Sequence, residues 1–223
     1  MNFFEIYSAP SKVFTKLSEK PKWLIPLIIV VIVSLLLTLL AVSKVNWEEQ
    51  KARIAEMMQS RNVPQERIDQ TLRSMTPTTG LLRSLVAVLI ITPLGILIFT
   101  LLLNVLIPLL GSPGSFKKTL SVTTNSALVR IPGAIVKAIL IFVKGSPEVY
   151  TSLVLLFPKM QHKGFLFNIL ARVDFFTIWE LILVGLGLKV LFNISGKKTY
   201  YIVFGLWLLY IILSSIFPAR FGG

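Results

Sequence analysis

Between Trp23 and Val42 the chain runs for about 20 residues without a charged side chain, enough at ~1.5 Å per residue to cross a hydrocarbon core of about 30 Å. Four further apolar runs follow: Leu81 to Leu110, Leu128 to Val143, Phe175 to Phe192 and Tyr200 to Phe217. Inside lipid every main-chain N–H and C=O must be satisfied within the protein, so a chain built this way is restricted to helices. The reading is an all-α integral membrane bundle of five transmembrane helices with short interfacial helices. Composition agrees: 54% of residues are hydrophobic and 15% charged, against about 25% charged in an ordinary soluble domain.

The spans are not equivalent. The first resembles an anchor more than a signal peptide, whose apolar core is only about 7–15 residues behind a short basic start. Ala41-Val42-Ser43 is a weak cleavage site. The second is long and contains Pro93 and Pro108; Pro93, lacking an amide hydrogen, is the expected kink. The third carries Arg130, Pro132 and Lys137, and the fourth Glu180 and Lys189. Trp23, Trp179, Tyr200 and Tyr201 lie near run ends, where interfacial aromatics concentrate.

The connecting segments have helical patterns of their own. Residues 1–22 read as a basic amphipathic leader, in which Val13, Phe14 and Leu17 form one stripe and Lys12, Lys16 and Lys20 another, suited to an anionic membrane surface. Residues 23–223 form the membrane domain, with 44–80 an extramembrane helical hairpin. In that hairpin Asn46 and Glu49 have capping-box spacing, Pro64 opens a second helix, and Ile68, Leu72 and Met75 share a face. Gly111 to Asn125 reads as a turn followed by Phe116, Lys117, Lys118 and Leu120, with the lysines at headgroup level. Leu153 to Phe157 and Phe165 to Leu170 are too short to span and read as interfacial or re-entrant pieces.

Lys and Arg outnumber Asp and Glu by 23 to 10. The cations flank the apolar runs, which favours anionic lipid headgroups over nucleic acid as partner. The leader lysines, with Lys117, Lys118, Lys197 and Lys198, crowd into short segments on one side, so the amino terminus is expected in the cytoplasm and the protein in the cell (inner) membrane. On that topology the sequon Asn193-Ile194-Ser195 is a chance match. The chain has no cysteine and one histidine, His162, which reads as a polar loop residue beside Lys163. No cofactor and no metal are expected, and no phosphate loop, zinc-protease motif or nucleophile elbow is present.

Charges within spans cost about 2.5–3.5 kcal/mol each on insertion scales. Counted inward from Lys144 and Asp174, Lys137 and Glu180 lie at similar depth, about 10 Å. They are therefore expected to share an intramembrane polar site. Such a pair could fix helix register, the two could snorkel independently, or they could serve an ion or proton path. Arg172 and Asp174 read as interface anchors, as do Lys12, Lys16, Lys117 and Lys118. Asn104 and Arg130 read as groups satisfying local hydrogen bonds.

Several stretches carry a family resemblance. Pro10, Val13-Phe14, Glu19-Lys20-Pro21-Lys22-Trp23-Leu24 and Pro26 open the pattern; Gly111 and Phe116-Lys117-Lys118 continue it. Asp174-Phe175-Phe176-Thr177-Ile178-Trp179, Gly185-Leu186-Gly187-Leu188, Ser195-Gly196-Lys197-Lys198 and Tyr200-Tyr201 complete it. Together they resemble the prokaryotic form of the Yip-type membrane proteins, named for Ypt/Rab-interacting proteins. The resemblance implies five spans, a cytoplasmic amino terminus and no catalytic residues. Eukaryotic members act in vesicle traffic, and some prokaryotic ones look like accessory partners of transporters. The expected role is a non-enzymatic scaffold for other membrane proteins, a transporter among them, in transport or envelope homeostasis. A small transporter or channel using Lys137 and Glu180, and a membrane-shaping or trafficking factor, are the alternatives. A homo-oligomer is compatible with each.

Overall fold

The computed structural model describes residues 4–146, 149–157 and 164–216. Five of its helical stretches are long and apolar enough to cross a membrane: Leu24–Val42, Pro77–Leu110, Phe116–Lys144, Phe175–Phe192 and Gly196–Ser215. The protein is a multi-pass membrane protein with an all-α fold. His162, Lys163 and Arg220 lie outside the described residues.

The amino-terminal segment forms α1 (Glu5–Ser8) and α2 (Pro10–Glu19). The expected stripe is present, but it does not face lipid. Val13, Phe14 and Leu17 are 2%, 0% and 0% exposed and belong to the main core. α2 packs on the fourth span and the start of the third. The reason is competition for one apolar stripe: a protein groove lined by glycine offers close contact that fluid acyl chains do not. Lys12, Lys16 and Lys20 remain exposed on the opposite face.

The first span is α3 (Leu24–Val42). The hairpin follows as α4 (Trp47–Gln59) and α5 (Gln65–Ser74), packed on each other. Asn46 caps α4 by accepting from the Glu49 amide at 3.2 Å, and Pro64 precedes α5. Ile68 is buried, while Leu72 and Met75 are half-buried.

The second span joins α6 (Pro77–Val86) to α7 (Thr92–Leu106) through a π turn, Ala87–Ile91, and ends in a 3-10 turn, Ile107–Leu110. Pro93 explains the π turn: it offers no N–H to the preceding turn and crowds it, and the Thr92 amide reaches back to the Ala87 carbonyl instead. Leu82, Leu89, Ile98 and Val105 stay exposed along this span, as expected of a lipid face.

The third span differs from its expected limits. It begins at Phe116, not Leu128, as α8 (Phe116–Ser126), passes through a 3-10 turn at Ala127–Val129 and continues as α9 (Arg130–Lys144). Gly145, at φ +66°, ends α9 in the left-handed conformation that glycine adopts without penalty. Its carbonyl accepts from the Asn46 amide at 2.6 Å, tying the far ends of the first and third spans together.

Neither short piece crosses the bundle: Leu153–Leu156 is a 3-10 turn and α10 (Phe165–Arg172) packs on the last span. The fourth and fifth spans are α11 (Phe175–Phe192) and α12 (Gly196–Ile216), joined by a tight turn in which Asn193 takes φ +51°. α11 lies at the centre, touching α2, α8, α9 and α12. Gly185 and Gly187 allow this: an added Cβ would come within 2.4 Å of Tyr200 at the first and 2.6 Å of Val122 at the second.

Candidate functional site: an intramembrane ion pair beside a buried hydroxyl helix

Residues 119–126 of α8 are all buried, and six of those eight side chains are polar: Thr119, Ser121, Thr123, Thr124, Asn125 and Ser126. Burial of a hydroxyl or amide is costly unless it is bonded. Here short side chains find acceptors in the helix itself. Thr124 donates to the Leu120 carbonyl at 2.8 Å and Thr123 to the same carbonyl at 3.1 Å. Others reach neighbouring elements. The Thr100 and Thr123 hydroxyls lie 2.6 Å apart between α7 and α8, and Thr119 donates to the Asn104 side chain at 3.2 Å. Asn125 donates to the Lys22 carbonyl at 2.9 Å, fixing the start of the first span.

Just beyond the 3-10 turn, Arg130 Nε donates to Glu180 Oε2 at 2.5 Å. The two ends of this pair differ in environment: the Glu180 side chain is 5% exposed, that of Arg130 47%. Two aromatic groups stand beside it. The Tyr7 hydroxyl donates to the Leu128 carbonyl at 2.6 Å, and its ring meets Trp179 edge-on with centroids 5.8 Å apart. Burial pushes the Tyr7 phenol up from its usual value.

The model of the Yip1 domain matches residues 4–217. The chain belongs to the Yip1 family. No curated protein and no solved structure matches the chain. The Yip1 family is generally one of non-enzymatic membrane-trafficking proteins. The match begins at residue 4, so it takes in α1 and α2 along with the five spans, as their packing does.

In this Yip1 domain Glu180 takes Arg130, not Lys137, as its partner. The reason is register. The expectation levelled the outer ends of the third and fourth spans, whereas α9 overshoots α11 by two helical turns. Gly133 lies against Phe176 and Val122 against Gly187, which brings residue 130 opposite residue 180. Lys137 is exposed on the outward face of α9 among Ile135, Val136 and Ile139. A long stem lets such a side chain carry its ammonium along the span toward water.

The residues expected to anchor the interface divide into two groups. Lys12, Lys16 and Lys117 are exposed and Lys118 half-buried, all on the α2 and α8 side. Lys16 is joined to Glu5 at 2.9 Å, and the hydrogen bond and charge it supplies hold the Glu5 carboxyl below its ordinary value. Asp174 and Arg172 instead bind protein. Asp174 caps α11 by accepting from the Phe176 amide at 2.9 Å and also accepts from the Thr151 hydroxyl. Arg172 donates to the Ser214 hydroxyl at 2.8 Å, holding α10 to α12.

Sequence reasoning missed three parts of the site: the pairing role of Arg130, the placement of Tyr7, and the burial of α8. For α8 a signal was present, since Ser and Thr at successive positions can bond their own helix. For Arg130 the deciding detail is the Gly133–Phe176 fit, which no periodicity reveals.

Proposed function

We propose that this Yip1 domain is a non-enzymatic accessory scaffold that docks other membrane proteins, set in the cell inner membrane with α1 and α2 on the cytoplasmic side. The observation that carries the reading is the contrast in how polar groups are used. Within the spans, Arg130, Glu180, Asn125 and the hydroxyls of Thr119, Ser121, Thr123 and Thr124 bind other parts of the same chain. The α4–α5 hairpin instead presents charged faces outward, stands off the bundle, and is tied to it through Trp47 against Gly80 and the Asn46 amide. Glu48 and Lys51, and Glu49 and Arg53, pair along α4 with their side chains at least partly exposed, leaving them able to exchange partners at low cost.

The test is crosslinking in native membranes followed by quantitative mass spectrometry, comparing the wild type with Glu48→Lys/Glu49→Lys. A membrane protein recovered in stoichiometric amount with the wild type and lost with the variant, at unchanged bundle stability, supports docking through the hairpin. Equal recovery by both chains, or no stoichiometric partner, rejects it.

A transport reading rests on the Arg130–Glu180 pair, since intramembrane charges mark ion pathways in many bundles. Flux into liposomes that disappears with Glu180→Gln favours it; flux indifferent to that change, or absent altogether, removes it.

A further inference from the structure

The Arg130 guanidinium is only half spent. Glu180 accepts its Nε–H, and among the described residues no other acceptor meets its terminal nitrogens, although nearly half of the side chain is exposed. A guanidinium keeps its charge under all physiological conditions, and its remaining N–H groups form a planar fork suited to a phosphate. In a span those donors require an acceptor from outside the chain.

Two further observations say what that acceptor is attached to. First, an apolar groove of about 260 Å³ runs along the same part of α11, lined by Phe175, Ile178, Trp179 and Ile182. Trp179 at its edge touches Tyr7, whose hydroxyl is bonded close to Arg130. Second, the amino-terminal helices carry a charged surface up to this level. Tyr7 bonds the Leu128 carbonyl, two residues before Arg130, while the nearby Glu5–Lys16 bridge is solvent-accessible. A polar headgroup following α1 is thereby led towards Arg130. The exposed Lys12 and Lys16 favour an anionic one.

We infer that Arg130 and the α11 groove together form a binding site for one anionic phospholipid, the phosphate held by the free guanidinium donors and an acyl chain lying along Phe175, Ile178, Trp179 and Ile182. Binding needs neither the hairpin nor a protein partner, so it stands apart from the scaffold reading.

Native mass spectrometry of the full chain, delipidated and titrated with phosphatidylglycerol or with phosphatidylcholine of the same acyl chains, tests this. The wild type is expected to bind phosphatidylglycerol more tightly by about fivefold, the worth of one basic group at a membrane surface. The double change Arg130→Gln/Glu180→Gln, which removes both charges while keeping hydrogen-bonding groups, should abolish the preference. Arg130→Lys should retain part of it, and Ile182→Trp, which fills the groove, should weaken both lipids. Excess inorganic phosphate should leave the bound lipid in place. Equal binding of the two lipids by the wild type overturns the inference, as does a preference that survives the double change. Displacement by inorganic phosphate would make this an anion site and not a lipid site, and undiminished binding by Ile182→Trp would remove the groove. Should the double variant fail to fold, the wild-type headgroup comparison and the groove variant still decide.

Discussion

α4 and α8 are both polar helices, of 13 and 11 residues, yet α4 buries none of its residues and α8 buries eight in succession. The difference lies in the kind of polarity. α4 carries Glu48, Glu49, Lys51, Arg53 and Glu56, long charged groups that are costly to take out of water even when paired. α8 carries Thr119, Ser121, Thr123, Thr124, Asn125 and Ser126, short groups of which Thr119, Thr123, Thr124 and Asn125 reach carbonyls one turn back along their own helix. Both helices are polar on average. Hydrogen-bond reach separates them, and it sends one helix to the centre of the bundle and the other outside it.

Matched substitutions in the two regions test how deep this contrast runs. The largest effect is expected at the two glutamates. Glu180→Ala leaves Arg130 without its counter-charge beside a dry core and should cost about 3 kcal/mol, at the lower end for a broken buried pair because Arg130 is half-exposed. Glu49→Ala removes an exposed pair along α4 and should cost under about 0.5 kcal/mol. Reversible unfolding in mixed micelles measures both; equal losses would mean that the intramembrane pair contributes no more than a surface one.

Next come the two glycines. Gly187→Leu drives a side chain into Val122 and Phe14, where α2, α8 and α11 meet, and should cost about 2 kcal/mol through overpacking. Gly80→Ala meets only the outer edge of the Trp47 ring. That ring can swing away, so the hairpin should loosen while the bundle transition stays unmoved. Amide exchange resolved by segment separates the outcomes. Protection lost in α4 and α5 alone is expected for Gly80→Ala, and loss in α2 and α11 for Gly187→Leu.

These contacts also show where the sequence was legible. Span number, helical class, the Pro93 distortion and the Asn46 cap follow from run length and local chemistry, and the structure has them all. Register between helices does not follow from them. Lys137 and Glu180 stood at one depth only on the assumption that Lys144 and Asp174 were level. The packing of Phe176 against Gly133 sets a two-turn stagger instead. The α2 stripe was equally plain, but one stripe fits a protein groove or a lipid surface alike, and the choice belongs to Gly187 on a distant helix.

The third pair is of threonines. Thr123→Val removes the hydroxyl that meets Thr100 in the core and should cost about 1 kcal/mol, typical of interhelical hydrogen bonds in membranes. Thr71→Val removes a hydroxyl that donates to the Arg67 carbonyl on exposed α5 and should change stability by less than about 0.5 kcal/mol. If the two losses were equal, the buried hydroxyls of α8 would be passengers in the packing.

The smallest effect concerns α1, tied down at one end by charge and at the other by burial. The Glu5 carboxyl is held below its ordinary value of 4.5, first by the hydrogen bond from Lys16 and then by its charge. A carboxylate with a depressed value in the fold contributes stability above the unfolded value, and the contribution fades as pH falls below 4.5 through the folded one. Tyr7 behaves oppositely: burial raises its phenol above 10.0, so the unfolded chain ionises first and α1 weakens as pH climbs beyond that point. α2 should hold through both changes, because Val13, Phe14 and Leu17 carry no titrating group. Amide exchange, corrected for its intrinsic pH dependence and compared at about pH 6 and about pH 3.5, should show α1 opening in acid while α2 stays protected. Glu5→Gln should remove that acid dependence. Acid opening that persists in Glu5→Gln would show that the Lys16 bridge is not what fastens α1, and would leave the buried Ile6 and the Tyr7 contact with Leu128 as its tethers.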